Sequence, residues 1–240
     1  MSLLISIVIP VFNESQRINQ TIETLNQYLQ TFPHQHEVVF VDDGSTDNIK
    51  PVIENLIPQF NYQIISYPIN HGKGYAVKQG FLAAQGDYIL MCDADMSTPI
   101  THLDEFIQKA LEGNDVVIGS RKKKGAHVIK HQAFLREKLG QGFTFLSNVL
   151  IAPGISDFTC GFKLFSQKVG KHIFSKQLIE RWGFDTEILF LTRKYNYKIA
   201  ELPVSWINDT ETKVNLKKDI GRSLYELFKI LRYYYQHKYS

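Results

Sequence analysis

Residues 91–100 read MCDADMSTPI, placing two carboxylates, Asp93 and Asp95, one residue apart directly after the apolar run YILMC. In an extended segment residues i and i+2 face the same way. Like charges that close raise each other's pKa, so the pair calls for a compensating cation. Hard divalent ions such as Mg2+ take oxygen ligands, keep several waters, and are shared between one or two carboxylates and substrate phosphates. A DxD pair at a strand end therefore suits Mg2+ or Mn2+ holding a diphosphate, where the ion neutralises charge that develops on a leaving group. On this reading Asp93 and Asp95 are the candidate metal ligands.

The elements that position these acids alternate along the first 120 residues. LLISIVIPV (3–11), EVVFVDD (37–43), YQIISYP, DYILMC and NDVVIGS read as strands. Helices are expected over 15–31, where Ile18, Ile22, Leu25 and Leu29 recur at helical spacing with Asn13 or Ser15 as the cap, and over 47–59, 72–86 and THLDEFIQKALEG. Continuous apolar strands between amphipathic helices imply a mostly parallel, Rossmann-like α/β sheet covered on both faces. In such sheets ligands bind beyond the carboxyl ends of the strands. Glu14 follows the first strand, Asp42 and Asp43 the second, Asp93 and Asp95 the fourth, so one edge gathers acids from three strands. Farther on, a helix is expected from Ala133 to Leu150, a strand over DFTCGFKLFS (157–166) with Asp157 as a structural cap, a helix over 185–196 and a strand over 197–206. The C-terminal stretch places Ile220, Leu224, Leu227, Phe228, Leu231 and Tyr235 on one side, flanked by Lys and Arg. Residues 1–215 are read as one catalytic domain, and 216–240 as a basic amphipathic helix that packs on it or lies on a membrane.

With 240 residues and 44% hydrophobic content the chain can bury a substantial core, and 21% charged residues exclude a disordered chain. A net charge of +3 does not argue for nucleic acid. The distribution says more: Arg121 to Lys138 holds seven Lys/Arg against Glu137 alone, and Lys213 to Ser240 seven against Asp219 and Glu226. A basic second half suits phosphates or an anionic lipid surface. Cys92 and Cys160 lack metal-ligand spacing and read as reduced thiols of a cytoplasmic protein. No apolar run approaches the roughly 18 residues of a membrane span, so membrane contact is expected to be peripheral.

Five segments stand in order: SIVIPVFNE, VVFVDDGSTD, NHGKGYAVKQGF, GDYILMCDADMSTP and VVIGSR. Together they resemble the inverting family 2 glycosyltransferases of the GT-A fold. Within that family GSR, DFTCGFKLF and ELPVSW resemble the polyprenyl-phosphate sugar synthases, and DADMSTP is most similar to the dolichyl-phosphate β-glucosyltransferases and their bacterial relatives. The resemblance implies a nucleotide-sugar donor bound by Pro10, Asn13, Glu14, Asp42, Asp43, Lys73, Gly74, Asp93 and Ala94. It makes Asp95, Arg121 and Arg136 the catalytic residues, and Arg121, Arg136 and Lys213 the site of an acceptor phosphate. Ser97 stands where the mannose synthases carry a Gln, which favours a UDP-sugar over GDP-mannose.

An alcohol acceptor has a pKa far above 7 and needs a general base. A lipid monophosphate, with a second pKa near ~6, is already anionic and attacks the anomeric carbon without one. The expected activity is inverting transfer of a hexose, glucose from UDP-glucose, to a polyprenyl phosphate at the cytoplasmic face of a membrane. Open alternatives are a family 2 enzyme acting on a saccharide or protein, a GDP-mannose-dependent polyprenyl-phosphate mannose synthase, and a nucleotide-sugar-binding partner subunit without turnover. A homo-oligomer is compatible with the C-terminal apolar stripe.

Overall fold

The computed structural model describes residues 2–56, 58–128, 134–207 and 216–239, without the side chains of 134–139, 141 and 216–220. The elements run β1 (Leu4–Val11), α1 (Ile18–Leu29), β2 (Gln35–Asp42), α2 (Ile49–Asn55), β3 (Tyr62–Ser66), α3 (Lys73–Ala83), β4 (Tyr88–Met91), α4 (Leu103–Leu111) and β5 (Val116–Ser120). There follow β6 (His127–Val128), α5 (Phe134–Leu150), β7 (Lys163–Ser166), α6 (Gln167–Lys176), α7 (Phe184–Lys194), β8 (Ile199–Pro203), β9 (Ser205–Trp206) and α8 (Leu216–Tyr235).

Seven strands form one sheet in the order β3-β2-β1-β4-β7-β5-β8, and β6 pairs with β9 in a separate ribbon. All pairings in the large sheet are parallel except those of β7, which runs antiparallel to both β4 and β5. That reversal matters for the site. It brings the residues before β7 to the edge where β1, β2, β4 and β5 end, with Met91 opposite Lys163.

Alternation along the strands splits the core into two layers. Ile5, Ile7 and Ile9 of β1 face α1, α2 and α4 through Leu25, Ile53 and Phe106, while Val8 faces the other way. On that second face α3, α6, α7 and α8 contribute Val77, Phe81, Phe174, Ile188, Leu227 and Ile230. Phe81 stacks on Phe174 at 3.9 Å between centroids, with Phe165 edge-on at 5.4 Å. Gly80 lets α3 sit close on the sheet, since a Cβ there would fall 2.3 Å from Val8 Cγ1.

Four local expectations change. Neither Asn13 nor Ser15 caps α1 by its side chain; the helix starts at Ile18, after Glu14 C=O has accepted the N–H groups of Arg17 and Ile18. The strand expected over 157–166 is confined to its last four residues, because 157–162 is used in contacts at the sheet edge. Helix α6 was not expected; Val169, Ile173 and Phe174 bury its inner face within ten residues. In α8, Leu227 is buried and Leu224 and Leu231 half-buried, but Phe228 and Tyr235 of the expected stripe are exposed, and Ile230 takes the inner position. Ile220 lies among the undescribed side chains.

Candidate active site

The DAD segment lies just past β4, in a turn rather than in extended chain. Met96 N–H donates to Asp93 C=O (3.1 Å), and Met96 itself adopts a positive φ of 49°. A side chain held in this sparsely populated region is strained, and such strain clusters at functional sites. Ser97 N–H donates to Asp95 Oδ1 (2.9 Å), and Ala94 C=O accepts the Thr21 hydroxyl (2.5 Å). Partial burial and the charge of Asp93 raise the Asp95 carboxyl above its usual range.

Asp93 lies directly over Gly161, where a Cβ would land 1.9 Å from Asp93 Oδ2. Only glycine leaves the carboxylate its place. Lys73 Nζ stands 2.5 Å from Asp93 Oδ1, and that oxygen accepts no well-formed hydrogen bond among the described residues. Burial alone would lower the Lys73 ammonium, but Asp93, with Asp185 and Asp95 farther off, more than offsets this and holds it above its ordinary value. The DAD carboxylates thus form a crowded acidic pair, with a buried oxygen facing only a cation. Such an oxygen donor set fits a hard divalent ion. Among the described residues no third His, Cys, Asp or Glu joins them.

Lys73 opens α3, and the turn before it is held from two sides. Asp43 is buried and takes Asn70 Nδ2 (2.8 Å) and Gly72 N–H (2.8 Å) on Oδ2, and His71 N–H (3.0 Å) on Oδ1. From the other side Glu180 C=O accepts Tyr75 N–H (2.9 Å). Gly74 is packed so closely that a Cβ would meet Phe184 Cβ at 2.6 Å. Asp42 Oδ1 accepts Ser45 N–H (2.9 Å), Asn13 Oδ1 accepts Thr46 N–H (2.8 Å), and Glu14 pairs with Arg17 (2.7 Å). Pro10 sits in β1 opposite Val41. These residues gather along one edge, but Asp43 is spent on shaping the Lys73 turn.

Arg121 arrives at the same edge from the end of β5. Its Nε donates to Asp157 Oδ2 (2.7 Å), and its Nη2 to Asp157 Oδ1 (2.8 Å) and Thr159 Oγ1 (2.9 Å). The guanidinium also lies 5.4 Å from the centre of the Trp206 ring. Burial would raise the Asp157 carboxyl, yet the Arg121 charge outweighs it and holds the group at about 2. Asp157 is therefore structural, as expected, but the partner it fixes is the arginine. Among the described residues the hydrogen bonds of the Arg121 guanidinium run through Nε and Nη2, which leaves the Nη1 donors at its outer edge. Below it, Lys163 forms a buried ion pair with Asp185 and donates to Cys160 C=O (2.6 Å). Ile207 N–H donates to Ser97 C=O (2.9 Å), which ties the β9 segment to the DAD turn.

Arg136 falls in α5 among side chains outside the described set, and Lys213 lies outside the described residues. Gly161, Lys163 and Trp206 were not singled out as site-forming. The signal for Gly161 was its place in DFTCGFKLF, but its need became visible only when β7 turned it onto Asp93. Cys92 and Cys160 are free and buried, and burial raises both thiols.

Comparison with known proteins matches this geometry. A dolichyl-phosphate beta-glucosyltransferase of Dictyostelium discoideum is 33% identical over 241 residues, covering 92% of this chain and 74% of the relative. The protein of that name from Homo sapiens is 32% identical over 217 residues, covering 84% and 67%. Among solved structures, glucosyl-3-phosphoglycerate synthase from Mycobacterium tuberculosis, in complex with Mn2+, uridine-diphosphate-glucose and phosphoglyceric acid, superposes with a TM-score of 0.69 over 95% of this chain and 79% of that one, at 17% identity. The fold is accordingly the GT-A fold. With residues 6–174 matching Glycosyl transferase family 2, a span running from β1 through the DAD turn and Arg121 to α6, the chain belongs to that family.

Proposed function

We propose that the chain transfers glucose from UDP-glucose to a polyprenyl phosphate of the dolichyl type, with inversion at the anomeric carbon. An oxygen of the lipid phosphate forms the new bond to C1 as the bond from C1 to the β-phosphate oxygen breaks, and UDP leaves with that electron pair. No proton has to be removed from the acceptor, whose phosphate is ionised near neutrality. Asp93 and Asp95 would hold Mg2+ or Mn2+, which supplies charge neutralisation to the diphosphate. Asp42, Asn13 and the Lys73 turn border the nucleoside side, and Arg121 presents its free guanidinium edge to phosphate. Arginine suits this task because its planar fork binds phosphate oxygens in pairs.

The observation that carries the reading is the locked Arg121. A guanidinium fixed by a buried carboxylate beside an acidic, diphosphate-suited turn matches a reaction joining two phosphate-bearing substrates. The relatives' names support the same acceptor and sugar. Thin-layer assay of radiolabelled UDP-glucose with dolichyl or undecaprenyl phosphate tests it, with GDP-mannose as the competing donor. Lipid-linked glucose is expected. Transfer from GDP-mannose only, or to a saccharide or protein but not to the lipid, refutes it.

The acceptor has to be met at a membrane, and no described helix is long and apolar enough to cross one. Helices α5 and α8 pack together and expose Phe145, Val149, Tyr225 and Phe228, with Arg222 and Arg232 exposed on α8. A face of this composition lies in the headgroup layer, where each Lys or Arg contributes about 1 kcal/mol on an anionic surface. Peripheral association at the cytoplasmic face is the proposed location. Flotation with anionic vesicles is the check, and a chain that stays at the bottom of the gradient counts against it.

A further inference from the structure

The C-terminal end reaches back into the molecule in a way the catalytic reading does not use. Tyr239, beyond the end of α8, is 1% exposed, and its hydroxyl donates to Glu187 Oε1 (2.6 Å). Glu187 is fully buried in α7, and its two oxygens also accept Leu178 N–H (3.0 Å) and Ile179 N–H (2.8 Å). From α8 itself, Glu226 accepts Gly183 N–H (2.6 Å). Two carboxylates therefore grip residues 178–183 from behind, one of them secured by Tyr239. The main chain of Tyr239 is pinned as well, its C=O accepting Lys194 Nζ (3.0 Å) and the Tyr195 hydroxyl (2.5 Å).

The front of the 178–183 segment is the wall of the Lys73 turn. Glu180 C=O holds Tyr75 N–H, and a Cβ on Gly72 would meet Arg181 Cγ at 2.7 Å. Gln177 Nε2 bridges Gly74 C=O (2.9 Å) and Ile179 C=O (2.7 Å), and the Trp182 ring lies 5.8 Å from Lys73 Nζ. A continuous set of contacts thus runs from Tyr239 through Glu187 and 178–183 to Lys73 and Asp93.

We infer that Tyr239 and Glu187 are positioning residues for donor binding: the C-terminal tyrosine latches the 178–183 segment, and through it sets where Lys73 stands against the DAD carboxylates. The inference rests on the proposed reading of the Lys73 turn as part of the nucleotide-sugar pocket. It also couples α8, the helix proposed to meet the membrane, to the pocket where the donor binds.

The test is Tyr239→Phe, which keeps the ring in the core and removes only the hydroxyl, beside Ile53→Val, a loss of about the same stability on the opposite face of the sheet. Losing one hydrogen bond to a buried carboxyl group is expected to raise KM for UDP-glucose and weaken UDP binding in calorimetry by about tenfold, with kcat within about twofold. Amide exchange at Leu178 and Ile179 should quicken in the same variant. Ile53→Val should leave KM and these amides unchanged. Wild-type donor affinity in Tyr239→Phe overturns the latch, as does an equal KM change in Ile53→Val, which would mark a general stability effect. A wild-type protein that binds no UDP at all would instead overturn the donor-site reading.

Discussion

The Arg121–Asp157 pair allows one perturbation to be worked through. Asp157 is wholly buried, so its charge is stabilised chiefly by Arg121, with smaller help from Lys122 and the Thr159 N–H, rather than by water. Its carboxyl moves from an ordinary 3.8 to about 2, and at 1.36 kcal/mol per unit that is about 2 kcal/mol of stability at neutral pH. The folded-state pKa is the depressed one, so this contribution is complete above the unfolded value and is lost as pH falls from about 4 through 2. In Asp157→Asn the arginine is left uncompensated, and breaking a buried pair in this way costs about 3–5 kcal/mol. Urea denaturation of wild type and variant should show that gap at pH 7, shrinking by about 1 kcal/mol by pH 3 as the unfolded wild-type chain takes up its proton. A gap that stays constant over this range would refute the claim that Arg121 holds Asp157 ionised. The same variant should raise KM for the lipid phosphate more than KM for UDP-glucose, because the guanidinium loses its fixed orientation.

Two further outcomes follow from packing and burial. In Gly161→Ala the new methyl overlaps Asp93 Oδ2, so the carboxylate must rotate away; Mn2+-dependent stabilisation by UDP in a thermal melt should disappear while the fold, read by circular dichroism, persists. Burial pushes the Glu187 carboxyl to about 7 against the hydrogen bonds from Tyr239, Ile179 and Leu178 that pull it down. A raised carboxyl pKa means the native state holds a proton the unfolded chain has released, so its stabilisation is complete below about 4.5 and is lost as pH rises through about 7; urea midpoints at pH 5 and pH 8 should differ in wild type and converge in Glu187→Gln.

The acid-bearing sheet edge was legible because its signal is local. An apolar run followed by an acid, Glu14 after β1, Asp42 and Asp43 after β2 and Asp93 after β4, needs no tertiary information to place the three strands side by side. The uses to which those acids are put were not legible. Asp42 and Asp43 are neighbours in sequence, yet one holds the next turn of its own loop and the other the turn before Lys73, 29 residues on. Arg121 and Asp157 are 36 residues apart, and they meet only because β7 reverses direction, which nothing in the periodicity of KLFS reveals. Helix α6 escaped because QKVGKHIFSK is polar on average and carries a glycine, with burial concentrated in Val169, Ile173 and Phe174. Composition foresaw a basic second half, but not that Lys163 would be spent inside the core on Asp185.

The distribution of these commitments bears on what kind of acceptor the site can serve. A hydroxyl acceptor needs a carboxylate or imidazole with a free lone pair directed at the sugar. Asp43 is filled by three donors, Glu14 is paired with Arg17, Asp157 with Arg121, and Asp185 with Lys163. Glu187, whose pKa alone would suit a base, is buried behind the segment it holds. Among the described acids, Asp93 and Asp95 stand crowded at the edge that the proposed reading gives to the diphosphate, and that crowding suits a bound cation better than a proton to be moved. The carboxylates of this site hold cations and backbone in place, and that division of labour suffices when the nucleophile is a phosphate that arrives already ionised.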